Sequence, residues 1–379
     1  MDELTPTSYS TIRSIGLTRQ YMSCLESLYS HEASDRFHGV EMPFKGTDDW
    51  LFGDDIGFLR FLRGEDDRCV FWITSKPGSG KSTVMKYAVK HEKTLQALER
   101  FHGDPWVIVK HFFHDRGSAT QKSVTGFLRA LLRQILIARK DAFPYVYPML
   151  GDAGSLENRD VAGYSFKTSS HPDSWTDERL ITAISVISQN IDTTLNLCVF
   201  VDALDEVQGT YGKLIDVIRR LEAMTENKLV RLRICAASRP ENLFKTEFAD
   251  YPSLAVHEHT MEDIRLYTES RMRYGTHDML TEAGHASFGA LTKSIIRRAN
   301  GVFLWVKLVV DELVEGFQNG DTLSEMKALL LLMPDELFGL YTRAMAIRHG
   351  RSPKKPEHFP RGVRSVSTCR IRRHPSDHN

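Results

Sequence analysis

The stretch Cys69-Val-Phe-Trp-Ile-Thr-Ser-Lys-Pro-Gly-Ser-Gly-Lys-Ser-Thr83 decides the fold. Val70 to Thr74 are β-prone throughout, the mark of a buried strand, and from Lys81 onward Val84, Met85, Ala88 and Val89 fall on one helical face. Between strand and helix, Ser75, Lys76, Pro77, Gly78, Ser79 and Gly80 form a glycine-rich turn. Gly78 and Gly80 can take backbone angles closed to residues with a Cβ, so successive N–H groups can face inward around a phosphate. A helix start adds free N–H groups and the positive end of its dipole. In this pattern Lys81 reaches the β- and γ-phosphate oxygens as a point charge, the Ser82 hydroxyl ligates Mg²⁺, and Thr83 sits near the α-phosphate. A bare Gly-Ser-Gly turn is the alternative, and the agreement of motif, strand and helix weighs against it. One position departs from the G-x-x-x-x-G-K-[ST] pattern, which asks for glycine where Ser75 stands. If that position takes a positive φ, serine costs about 1 kcal/mol or more.

The strand, turn and helix belong to a chain of 379 residues, 41% hydrophobic and 26% charged, long enough for one large or two smaller globular units. Lys+Arg and Asp+Glu balance at 49 each, so no global field draws the chain to nucleic acid or an anionic membrane. The cysteines, Cys24, Cys69, Cys198, Cys235 and Cys369, show neither paired nor metal-ligand spacing and read as reduced residues of a cytoplasmic protein. No apolar run approaches the roughly twenty residues of a membrane span. The longest, Val302 to Val310, is interrupted by Lys307.

Along the chain, residues 19 to 29 are helical in pattern with Leu25 and Leu28 among few inward candidates, so little anchoring is expected there. Phe58, Leu59 and Leu62 give a short amphipathic helix. Trp106 to Phe113 reads as a second buried strand, Leu195 to Val201 as a third, Leu232 to Ala237 as a fourth and Leu254 to His257 as a short fifth. Helices fall between them, the strongest carrying Val124, Phe127, Leu128, Leu131, Leu132, Ile135 and Leu136, others near 177–190 and 213–224. Gly151 to Ser174 is a polar loop insertion. Alternating strands and helices imply a parallel sheet covered on both faces, with ligands at the carboxyl ends of the strands. From Met261 to Leu340 the pattern is helical, with a stripe of Val302, Val306, Val309, Leu313 and Phe317. No internal repeat is visible, and the basic, proline-containing tail reads as disordered.

Leu197 to Val201 delivers Asp202-Ala-Leu-Asp-Glu206 to the sheet's carboxyl edge. An acid there can orient Mg²⁺ beside Ser82, and Asp205 or Glu206 can position or deprotonate an attacking water. Taken alone, an Asp after an apolar strand more often caps a helix or forms a turn; the upstream loop reverses that preference. Ser238 and Arg239 end the next strand, where a cation can sense a γ-phosphate, a surface arginine before Pro240 being the plainer reading. His111, His114, His257 and His259 lack metal-site spacing.

These motifs together resemble the NACHT-type STAND NTPases of fungi, including proteins with a nephrocystin-3-like N-terminal NTPase domain. The runs that carry the resemblance are F-W-I-T-S-K-P-G-S-G-K-S-T-V-M-K at Phe71 to Lys86, F-F-H-D-R-G at Phe112 to Gly117, V-F-V-D-A-L-D-E at Val199 to Glu206 and A-A-S-R-P-E at Ala236 to Glu241. A-N-G-V-F-L-W-V at Ala299 to Val306 and M-P-D-E-L-F-G-L-Y at Met333 to Tyr341 look similar too, as do Arg36, Thr47 and Trp50 in the lead-in. The resemblance covers roughly residues 20 to 345.

It implies an α/β P-loop NTPase parallel sheet with flanking helices, followed by a helical subdomain, and a switch in which ATP or GTP binding and slow Mg²⁺-dependent hydrolysis toggle self-association and signalling to protein partners. By position, Ser75 to Thr83 hold nucleotide, Ser82 and Asp202 hold Mg²⁺, Asp205 and Glu206 form the second acidic pair, and Arg239 is the sensor. The expected organisation is a helical lead-in at 1–35, the NTPase domain at 36–260, the helical subdomain at 261–345 and a basic tail at 346–379. Family members usually carry an effector domain before this core and a winged helix and repeats after it, so the chain is expected to be a truncated product. The alternative function is an interaction scaffold that keeps the fold without hydrolysis.

Overall fold

The computed structural model describes residues 18–30, 32, 35–99, 105–150, 175–276, 282–340 and 342. The loop expected at Gly151 to Ser174 and the basic tail from 346 lie outside them. The chain divides between His259 and Thr260 into two compact units.

The first unit is a three-layer α/β domain. Its elements run α1 (Phe58–Arg63), β1 (Val70–Thr74), α2 (Lys81–Lys90), α3 (Glu92–Glu99), β2 (Trp106–Phe112), α4 (Val124–Ala138), α5 (Asp177–Asn190), β3 (Leu195–Asp202), α6 (Tyr211–Ala223), β4 (Val230–Ser238) and β5 (Ser253–Ala255). The five strands form one sheet in the order β2-β3-β4-β1-β5, with every pairing parallel. β3 is buried along its whole length, as a parallel strand covered on both faces should be. Side chains alternate between the two faces. Val70, Trp72, Val109, Val199, Val201 and Ile234 pack with α4, α5 and α6, whereas Phe71, Ile73, Phe112, Phe200 and Ala237 pack with α1, α2 and α3. The α/β fold class expected from the sequence is the one observed.

Local signals account for where the helices start. Ser123 caps α4 by accepting from the Gly126 amide, and Thr176 caps α5 by accepting from that of Arg179. Gly126 is required there, because a Cβ would stand 1.8 Å from the Thr120 carbonyl oxygen.

Two expectations are corrected in this unit. The fifth strand is shorter than Leu254 to His257, since the chain turns into a helical segment at Val256–His259 directly after Ala255. The helix at residues 18–27 is firmly anchored: Tyr21, Cys24, Leu25 and Leu28 join the α4 core. Tyr21 Oη donates to the Leu136 carbonyl at 2.9 Å, Arg129 donates to that of Ser27 at 2.6 Å, and Trp175 Nε1 donates to Ser27 Oγ at 3.0 Å.

In the second unit the described elements are helices, α7 (Met261–Thr276), α8 (Glu282–Ala299), α9 (Phe303–Gln318) and α10 (Leu323–Leu332). Their core holds Ile264, Leu291, Ile295, Val306, Val309, Leu313 and Leu330 around the fully buried Trp305, whose indole donates to the Pro334 carbonyl at 2.7 Å. Thr322 and Glu325 form a reciprocal capping box at the start of α10. Among the described residues no helix is long and apolar enough to cross a membrane.

Candidate functional site

β1 ends at Thr74, and the chain turns through Ser75 to Gly80 before α2 begins at Lys81. Gly78 and Gly80 take φ values of 77° and 95°, the left-handed region that a Cβ disfavours. Gly80 is the N-cap of α2, so the unbonded N–H groups of the first helical turn open toward the sheet's carboxyl edge. Ser75 is not among the positive-φ residues, and the strain expected of serine at that position does not arise. Its hydroxyl donates instead to the Lys76 carbonyl at 3.0 Å. Lys76 is half-buried, Pro77 is exposed, and Ser82 and Thr83 stand half-buried in the first turn of α2.

The end of β3 lies two strands from β1, with β4 between them. Pairing sets Phe112 beside Asp202 and Thr74 beside Ser238, so the strand ends share one rim. There Lys81 Nζ meets Asp202 Oδ1 at 2.9 Å, with the lysine side chain 11% and the aspartate side chain 1% exposed. The Asp202 carbonyl accepts from the Phe113 amide at 3.1 Å, which ties the acid to the chain leaving β2. Asp202 Oδ2, Ser79 Oγ and Thr74 Oγ1 are buried and have no hydrogen-bond partner among the described residues.

Beyond Asp202, Ala203 adopts φ 60° and the chain coils through Leu204–Glu206. This turn points the two further acids in different directions. Asp205 Oδ1 accepts from the Arg239 amide at 2.9 Å, and Oδ2 pairs with Arg239 Nε at 3.1 Å. Glu206 Oε2 accepts from the Asp115 amide at 3.2 Å. The structure thus joins Lys81 to Asp202 and Asp205 to Arg239. Among the described residues no hydrogen bond links either Glu206 or the Asp205–Arg239 pair to Lys81 and Asp202. Ser238 Oγ accepts from Trp72 Nε1 at 2.9 Å, which locks β4 to β1 below the rim.

The sequence reading passed over Lys86 and weighed His257 only as a metal ligand. Lys86, on the core face of α2, is 5% exposed and donates to the carbonyls of His38 (3.1 Å) and Val40. Burial pulls its pKa below the ordinary lysine value. Nothing in a helical Lys distinguishes such a residue from a solvated one, because the accepting carbonyls are more than 40 positions away. His257, just past β5, is held below its ordinary pKa by burial and then by the charge of Lys76.

The Nephrocystin 3, N-terminal sequence model matches residues 46–239, just over half of the chain. The chain belongs to this family. The nephrocystin-3 N-terminal span takes in the glycine-rich loop, the acidic end of β3 and the whole of β4, and closes on Arg239. No curated protein matches the chain.

Among the described residues no group of three or more His, Cys, Asp or Glu stands together as a metal site, and the rim offers single oxygens of the kind that Mg²⁺ takes. Asp202 Oδ2, buried and unpartnered, and the Ser82 hydroxyl at the helix start are the residues that fit it.

Proposed function

We propose that the chain is a nucleotide-binding switch of the STAND type, taking ATP or GTP with Mg²⁺ at the rim formed by Ser75 to Thr83 and Asp202. One observation carries this reading: Lys81 and Asp202, 121 positions apart, meet at 2.9 Å beside a glycine-headed helix start, and the second carboxylate oxygen is left buried and unpartnered. An unpaired buried acceptor costs about 1–3 kcal/mol, a cost that a further donor or a cation at Asp202 Oδ2 would relieve. The helix N–H groups and the Lys81 amine present positive potential to phosphate oxygens, while Ser82 and Asp202 would hold the metal. Bound Mg²⁺ supplies the charge that offsets the phosphate oxygens. Arg239, gripped by Asp205, is the cation through which the rim would sense the outermost phosphate, and Glu206, which accepts from the Asp115 amide, would have to turn inward to orient water. Such a switch would work in the cytoplasm, through self-association or contact with signalling proteins.

A second reading is a binding scaffold without turnover. It is favoured by Asp205, both of whose oxygens are taken by Arg239.

Calorimetric titration of Mg·ATP and Mg·GTP into wild type and Lys81→Ala tests the reading. Binding is expected in wild type and loss of it in the variant. Ligand at about 100 times its Kd should also raise wild-type stability by about 2.7 kcal/mol. Equal affinity in wild type and variant would remove the switch reading.

A further inference from the structure

β2 is an edge strand of the sheet, and alternation places Trp106, Ile108, Lys110 and Phe112 on the face that packs with α1, α2 and α3. Lys110 breaks this apolar row. Its peptide is fixed from outside the sheet: the Lys110 amide donates to Gln134 Oε1 at 3.1 Å, and Gln134 Nε2 donates to the Lys110 carbonyl at 3.1 Å. From that clamped position the side chain folds over the buried Phe37 ring, with Nζ 4.2 Å from the centroid. A lysine that merely guards an open edge would hold its charge in water. Lys110 is half-buried instead.

Phe37 lies in the short helix Asp35–Gly39, and a second lysine reaches it. Lys86 Nζ stands 5.3 Å from the same centroid and donates to the carbonyls of His38 and Val40. Lys90, exposed at the end of α2, completes the group. Among the described residues the Lys110 amine has neither a hydrogen-bond acceptor nor an acidic partner; what it meets is the face of Phe37. Burial, then the charge of Lys90, then that of Lys86 hold its pKa below the ordinary lysine value. The Phe37 face draws cations, but it is shared with Lys86 and so offsets only part of this. Three amines thus crowd a half-buried spot that lacks a carboxylate to balance them.

We propose that Lys110 is a carbamylation site, at which the amine takes up dissolved carbon dioxide and Lys90 and Lys86 stabilise the carbamate that results. The nitrogen lone pair attacks the carbon, the N–C bond forms as one C=O π pair moves onto oxygen, and the amine proton passes to water. No oxidant, reductant or leaving group is required. A cation thereby becomes an anion beside two ammonium groups, and like-charge repulsion turns into attraction. The reagent is small enough for a half-buried amine. At about 1.5 Å per residue, Lys90 stands about 14 Å along α2 from Lys81, so the site lies apart from the glycine loop and does not depend on the nucleotide reading.

The full chain equilibrated with isotope-labelled bicarbonate tests this, in wild type, Lys110→Arg and Lys90→Gln. Carbon NMR of wild type should show a carbamate resonance that Lys110→Arg, which keeps a cation over Phe37, removes. Trapping with an alkylating oxonium reagent, followed by peptide mass spectrometry, should place the label at Lys110 severalfold above the exposed Lys45 and Lys228. Lys90→Gln, at an exposed helix end, should lower the Lys110 label severalfold without changing the melting curve. Label at Lys110 no higher than at Lys45 and Lys228, label confined to the α-amine of the chain, or a Lys110 label indifferent to Lys90→Gln overturns the proposal. The first of these would leave Lys110 as a guard of the open β2 edge.

Discussion

His111 offers a quantitative handle on β2, the strand whose continuation holds the Asp202 backbone. The side chain is 2% exposed, packed edge-on to Phe113 at 4.6 Å and against Phe127 at 5.5 Å. Neither ring nitrogen has a hydrogen-bond partner among the described residues. Burial pushes its pKa from 6.5 down to about 3. The unfolded chain therefore binds one proton more than the native chain between these values, and native stability falls as pH drops below 6.5. Between pH 7.5 and pH 5 this single group removes about 2 kcal/mol, a figure set by the unfolded value as long as the folded one lies well under 5. His111→Leu deletes the titration and two unpartnered polar atoms, so the variant should be more stable at pH 7.5 by roughly 1 kcal/mol. Its advantage should widen to about 3 kcal/mol at pH 5. Urea denaturation of both proteins at the two pH values reads the difference directly, and the other histidines cancel in the comparison. Parallel pH profiles would refute the assignment of a neutral, desolvated imidazole to this position.

Glu206→Gln should bind nucleotide as wild type does but turn it over more slowly; unaltered turnover in a phosphate-release assay would remove Glu206 from the water-positioning role. Ser75→Gly should leave Mg·ATP affinity unimproved, because Ser75 does not take a positive φ, and should lower stability by about 0.5–1 kcal/mol through added chain freedom. A gain in affinity measured by calorimetry would contradict that geometry. Gly126→Ala should cost about 1–3 kcal/mol or more in thermal or urea melts, since its Cβ would meet the backbone oxygen of Thr120. An unchanged melting point would mean that the turn before α4 yields freely.

The fold was legible because parallel strands buried on both faces are written as short apolar runs, as Leu195–Asp202 is. Strand order was not, since parallel neighbours need share no turn and nothing in β1 names β4 and β5 as its partners. At the candidate site the sequence singles out Lys81 and Asp202 by motif, but the pairing of Asp205 with Arg239 depends on the left-handed turn at Ala203, which an alanine does not advertise. Lys110 stood in plain view inside a strand-like run. Its meaning lay in the sheet edge and in the Phe37 ring that the fold brings to it.

The helix at residues 18–27 separates what is recognisable from what is self-sufficient. The family match starts at residue 46, yet Tyr21, Leu25 and Leu28 are among the side chains that close the α4 layer, and Ser27 bridges Trp175 and Arg129. A fragment trimmed to the match would uncover greasy surface worth about 1.5–3 kcal/mol for each large side chain withdrawn. Residues 18–28 are thus part of the packing of the first unit although they lie before the stretch that similarity detects.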